Sequence, residues 1–139
     1  MILDSSVLIA AERRRFELRL LFGDYPDEEF FIAAVTASEL LHGVERAHPA
    51  ARKAKRKRVV EHYLDSIAIV DFDLPIARKH ARIWAKLEAA GRVIGAHDLI
   101  IAASALYLKN AVVTLNRKEF KQVPGLKLIP TARYIPDRG

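Results

Sequence analysis

The sequence predicts an α/β fold in three layers, α/β/α, with a central parallel sheet covered by helices on both faces. Three observations carry this expectation. Short β-type runs alternate with helical stretches along the chain, the pattern of parallel strands joined by crossover helices. The helical stretch at 98–110 is apolar nearly all round, so it needs cover on every side. Half of the 139 residues are apolar and no tract is of low complexity, which suits one domain over 1–139 with a buried core.

The elements follow in order. "ILD" at 2–4 reads as a strand stub that runs into an acid, Asp4. "EEFFIAAVTA" contains an apolar run over 30–35, a second strand with a helix opening just after it. "SIAIVDF" at 66–72 and "NAVVTLN" at 110–116 read as further strands, and "LKLIP" at 126–130 as a weaker one. "DLPIARKHARIWAKLEAAGR" is a helix with Ile76, His80, Ile83, Trp84 and Leu87 on one face. Asp73 is its N-cap, Pro75 lies in its first turn and Gly91 follows its end.

Composition narrows the function. There is no cysteine, so disulfide frameworks and thiolate metal sites are excluded. The first residues lack the basic n-region of a secretory leader, with charges arriving by Glu12 and Arg13. No apolar run approaches the roughly 18 residues of a membrane span. A soluble, cytoplasmic protein is expected. The net charge of +6 points to a polyanionic partner, against the plainer reading of charge kept for solubility. No phosphate-binding P-loop and no dinucleotide glycine fingerprint is found.

In an open α/β sheet, sites form outside the carboxyl ends of the strands. Asp4 ends the first strand there, and Asn116 ends the "AVVTL" strand in the same way. Asp4 or Ser5 also suits a helix N-cap. Glu39 lies in "TASELLHG", where Thr36 and Glu39 have the spacing of a capping box. Asp98 sits where the buried helix begins and suits a cap too. One such acid is a cap. Three at one sheet edge would repel unless a cation lay between them, and a hard divalent ion, Mg²⁺ or Mn²⁺, suits oxygen donors.

The order "ILDSSVLIA", "TASELLHGVERA", "IGAHDLIIAASAL" and "VTLNRKEFKQVPGLKLI" resembles the PIN-domain ribonucleases, and more closely the VapC-type toxins of toxin–antitoxin pairs. The resemblance runs from Ile2 to about Ile129 and rests on four motifs that are weak singly and specific together. It implies a metal-dependent endoribonuclease in which Asp4 and Asp98 hold Mg²⁺, with Mn²⁺ as the alternative, and Glu39 completes the acid cluster. Asn116 stands where many members carry a fourth aspartate, which weakens any second metal position. Glu119 matches an auxiliary acid. Ser5 replaces a common threonine, and His97 replaces a small or amide residue. Ser6 and Thr114 are expected to orient carboxylates through their hydroxyls. The resemblance also implies an RNA substrate, a homodimer and a cognate antitoxin. The competing reading is a non-catalytic RNA-binding or regulatory module. A flap-type DNA nuclease would need helical insertions that this chain lacks. Because like charges cluster, removing Asp4 or Asp98 is expected to leave the metal-free fold at least as stable.

Other signals have plainer explanations. Glu39-x-x-His42 is half of a di-iron motif without its second copy or a bundle to hold it. Asp71-x-Asp73 resembles the pair of haloacid-dehalogenase-type phosphatases, but Asp73 is already the cap before Pro75. His48, His62 and His80 have no ligand spacing and are expected at the surface or an interface. Phe16, Leu20 and Leu21 are candidates either for a partner surface or for packing on the sheet. The run "ARKAKRKR" contains Arg52, Lys53, Lys55, Arg56, Lys57 and Arg58. It is expected on a helix, contacting RNA phosphates or an acidic stretch of a partner, and no aromatic residue is interleaved for base stacking.

Overall fold

The computed structural model describes residues 1–137, so the last two residues of the expected 1–139 domain lie outside it. Four parallel strands form the sheet in the order β3-β2-β1-β4: β1 (Ile2–Leu3), β2 (Phe31–Ala33), β3 (Ala68–Val70) and β4 (Val112–Val113). After β1 and β2, helices take over at once where the chain leaves the sheet. Helix α1 (Ser5–Glu12) starts directly after Asp4, and α3 (Ala34–Arg46) starts at the residue after β2. The others are α2 (Leu18–Asp24), α4 (Ala50–Ser66), α5 (Leu74–Ala89), α6 (Ala96–Leu108) and the single turn α7 (Arg117–Phe120).

Successive strand residues face opposite sides of a sheet, and here that alternation builds two cores. Leu3, Ile32 and Val113 face one side, packed with Leu8, Leu40, Val44 and Val60 from α1, α3 and α4. Ile2, Ala33 and Val112 face the other, packed with Ile76, Ile83, Leu87, Ile101 and Phe120 from α5, α6 and α7. The expected three-layer architecture is therefore present. Helix α6 lies in the second core with Leu99 and residues 101–105 buried, as its all-round apolar sequence requires.

Several local expectations change. The run 30–35 is strand only to Ala33; Ala34, Val35 and Thr36 belong to α3. Its N-cap is Ala33, so Thr36 and Glu39 form no capping box, and the Thr36 hydroxyl is buried without a partner. Residues 126–130 contribute one isolated bridge, Val112 to Leu128, rather than a strand. Trp84 sits at the margin of the α5 apolar stripe and is 53% exposed, packed edge-on against His80. Phe16 and Leu21 are buried, Phe16 tilted against Tyr134, so they build core rather than a partner surface. Asp73 caps α5 as expected, accepting from the Ile76 N–H at 3.1 Å. His48 and His62 are at the surface, and His80 is half-buried.

Strand order reverses at β1, with β2 and β3 on one side and β4 on the other. Ligands of open α/β sheets bind at such a switch point, beyond the carboxyl ends. Asp4 follows β1 directly and Thr114 follows β4.

Candidate active site

Asp4 is the fixed point of this edge. It is 4% exposed and is the N-cap of α1. One carboxylate oxygen accepts from the Ser5 N–H at 2.8 Å. The other accepts from the Ser6 hydroxyl at 2.8 Å and the Thr114 hydroxyl at 2.7 Å. Thr114 in turn accepts from the Asn116 N–H at 2.9 Å, and Ser6 accepts from the Leu115 N–H at 3.1 Å. The hydroxyls of Ser6 and Thr114 thus orient the carboxylate, and they tie the turn after β4 to the turn after β1.

Glu39 lies in the second turn of α3, half-buried. The Ser5 hydroxyl donates to one of its oxygens at 3.2 Å, and His97 Nδ1 stands 3.3 Å from the other. Ser5 therefore bridges Asp4 and Glu39. This bridge is not legible from the linear pattern, where Ser5 reads as a helix cap.

Asp98 occupies the first turn of α6, where the helix dipole favours a negative charge. Its surroundings oppose that charge. Burial, then the carboxylates of Asp4, Glu119 and Glu39, push its pKa up from 3.8 to about 6. The Asn116 side-chain amide donates to Asp98 at 3.1 Å and offsets part of the rise. Asn116 is thus placed as a hydrogen-bond partner of Asp98. Glu119 comes from α7, with one oxygen held by the Gln122 amide at 3.1 Å. Asp98 and Glu119 meet over Gly95, where a Cβ would stand 3.6 Å from one and 4.0 Å from the other.

Four carboxylates from α1, α3, α6 and α7 thus converge with Asn116 on one sheet edge. They are hard oxygen donors, and after burial the other three raise the cost of ionising Asp98, an electrostatic situation that a divalent cation relieves. Among the described residues, no three His, Asp or Glu side chains stand as a closed metal-binding group. Mg²⁺ is bound through one or two carboxylates, with waters and substrate phosphate completing its shell, and Asp4 and Asp98 are carboxylates of this kind. The donor set fits the ion.

The basic run lies on α4, beside the cluster rather than in it. Helical periodicity divides its members. Arg52, Lys55 and Arg56 line a cleft against α1 and α3. Lys53 pairs with Glu45 of α3 at 3.5 Å, while Lys57 and Arg58 project from other faces of the helix. Arg56 is not free either: it holds Glu12 of α1 at 3.2 Å.

The PIN domain family matches residues 1–126, which include all four carboxylates. Ribonuclease VapC1 of Rickettsia felis is 30% identical over 129 residues, covering 93% of this chain and 94% of that protein. The tRNA(fMet)-specific endonuclease VapC of Shigella flexneri is 31% identical over 118 residues, covering 85% and 82%. The solved structure of VapBC2 from Rickettsia felis bound to a DNA fragment from their promoter matches with a TM-score of 0.83 at 25% identity, over 92% of this chain and 96% of that one. With its fold and sequence matching over most of its length, the chain belongs to the PIN-domain family, among the VapC ribonucleases.

Proposed function

We propose that this chain is a Mg²⁺-dependent endoribonuclease, the toxin of a toxin–antitoxin pair, and that Asp4, Glu39, Asp98 and Asn116 form its catalytic centre. The observation that carries this reading is Asp98, a half-buried acid facing three further carboxylates at the switch point of the sheet. Asp4 and Asp98 would hold the ion. A divalent cation bound there supplies charge relief at the phosphate and a more acidic water.

The chain's own residues do the rest. Asp4 is immobilised by three donors, so its carboxylate needs no reorganisation when substrate arrives. Asn116 orients Asp98 and leaves its second oxygen free of that bond. Glu39, set by Ser5 beside His97, offers a carboxylate oxygen at the rim, where it can accept a proton from an attacking water or orient it. Glu119 adds negative charge on the far side and strengthens the pull on a cation. Ser6 and Thr114 act through Asp4.

The antitoxin partner is supported by likeness to VapBC structures; the homodimer is carried over from the family resemblance alone. No helix among the described residues is long and apolar enough to cross a membrane. We place the protein in the cytoplasm, where its RNA substrate is.

The test is incubation of purified protein with RNA in Mg²⁺ or in EDTA. Fragments in Mg²⁺ alone are expected. Binding of RNA without cleavage under both conditions would favour the non-catalytic module instead.

A further inference from the structure

A basic cleft runs from the acid cluster across α1, α3 and α4. It consists of two contiguous hollows. The one nearer the cluster is bordered by Glu39 and His97; the outer one is bordered by Arg52 and Lys55. Both share Glu12, Arg13, Gly43, Arg46 and Arg56. Glu39, Gly43 and Arg46 fall at i, i+4 and i+7 of α3, on one helix face. That face therefore leads from the cluster to Arg46, about 10 Å along the axis.

The cleft's floor is Gly43. A Cβ there would stand at ordinary contact distance, 3.7 Å, from the Arg56 guanidinium, so a longer side chain would occupy the channel. Glycine inside a helix is unfavourable, and Gly43 has no positive φ to require it. Glu12 clamps Arg56 across the floor at 3.2 Å. Arg13, Arg46, Arg52 and Lys55 remain exposed and form no ion pair among the described residues. Four unpaired cations along a channel that ends at acids make a surface for a chain of evenly spaced anions. The cluster of acids, in turn, repels such a chain everywhere except where a cation sits.

We infer that this cleft is a phosphate track: Arg13, Arg46, Arg52 and Lys55 hold the RNA backbone flanking the bond to be cut, and the Glu12–Arg56 pair fixes its wall. Lys53, Lys57 and Arg58, though in the same run, take no part. This inference rests on the ribonuclease reading above, and it assigns two residues outside the run, Arg13 and Arg46.

The test measures binding of a labelled single-stranded RNA oligonucleotide in EDTA, so that no cleavage intervenes, over a range of salt. The variant Arg46→Gln/Arg52→Gln/Lys55→Gln removes three track cations. The variant Lys53→Gln/Lys57→Gln/Arg58→Gln removes three from the other faces and has the same net charge. The slope of log affinity against log salt is about −0.7 per phosphate contact on a single strand. The track variant should flatten it by about two, and the control should leave it at the parental value. Gly43→Leu, which keeps every charge and favours the helix, should weaken binding at least tenfold by filling the floor.

Equal flattening in both triple variants would show a diffuse charge effect and overturn the track. A parental slope in the track variant would overturn it too, with the cations left for an acidic segment of a protein partner. Cleavage in Mg²⁺ at saturating RNA is read in parallel. If the parent cleaves and the slopes do not separate, the track alone fails. If the parent never cleaves RNA, the ribonuclease reading fails, whatever the slopes show.

Discussion

Replacing Asp98 by Asn should stabilise the metal-free protein at neutral pH while removing a residue that we assign to the active site. Burial and the carboxylates of Asp4, Glu119 and Glu39 lift the Asp98 pKa from 3.8 to about 6. A full shift of that size corresponds to about 3 kcal/mol of penalty on the ionised fold. The carboxyl is only half-buried, so solvent screening reduces this to about 1–2 kcal/mol. Asn also gives up the favourable charge in the first turn of α6, about 0.5 kcal/mol. The net gain is about 1 kcal/mol, or roughly 3–4 °C in melting temperature for a chain of this size. The sign follows from proton binding. Between 3.8 and about 6 the folded state holds the proton more tightly, so Asp98 costs stability as pH rises through this window. Below 3.8 the acid is neutral in both states and the penalty vanishes. Thermal melts in EDTA should show the gain in full at pH 7.5 and lose it near pH 3.5. Adding Mg²⁺ should then raise the parent and leave the variant nearly unmoved. A variant no more stable than the parent at pH 7.5, or a gain that persists at pH 3.5, would refute the electrostatic account.

Asp4→Ala should do the opposite. It strands the Ser5 N–H and the hydroxyls of Ser6 and Thr114 and removes the α1 cap, costing about 2–3 kcal/mol, with about 1 kcal/mol returned through Asp98; urea denaturation in EDTA should find a net loss of about 1–2 kcal/mol. Asn116→Asp places a carboxylate where an amide now donates at 3.1 Å, so the metal-free protein should lose about 1 kcal/mol. Calorimetric titration with Mn²⁺ should show one tight and at most one weak ion in the parent and a strengthened second ion in this variant; identical isotherms would mean that position 116 does not face the ion.

Much of the site was legible because strand-end acids advertise the sheet edge. Asp4 and Asn116 each follow an apolar run, and the four family motifs mark Glu39, Asp98 and Glu119. The structure brings all five to one edge, with Ser6 and Thr114 on Asp4 as expected. For Asp4 the structure adds terms that the like-charge count leaves out, and the expected sign of its removal changes with them. Counting like charges predicts that its removal helps, but three donors fixed on a buried carboxylate outweigh the repulsion, and donors cannot be counted from sequence. The Ser5 bridge to Glu39 and the His97 contact were invisible for a related reason: each joins elements more than 30 residues apart.

The basic run shows the other limit. As a string, "ARKAKRKR" looks uniform, yet 3.6 residues per turn send its members to different faces. The cleft it helps to form takes Arg13 from the end of α1 and Arg46 from the end of α3, and no linear pattern joins them. Trp84 failed for a similar reason, since a stripe's margin cannot be told from its centre without the packed neighbour. In the fold, the short strands blurred boundaries: "FFIAAV" is apolar throughout, and only the early start of α3 decides where β2 ends.

The most direct test of the acid cluster is single-turnover cleavage of RNA in Mg²⁺ by the parent and by Asp98→Asn, each checked for folding by its melting temperature. The account predicts that the variant melts higher in EDTA and yet cleaves at least a thousandfold more slowly. A well-folded Asp98→Asn protein that cuts RNA at the parental rate would contradict it.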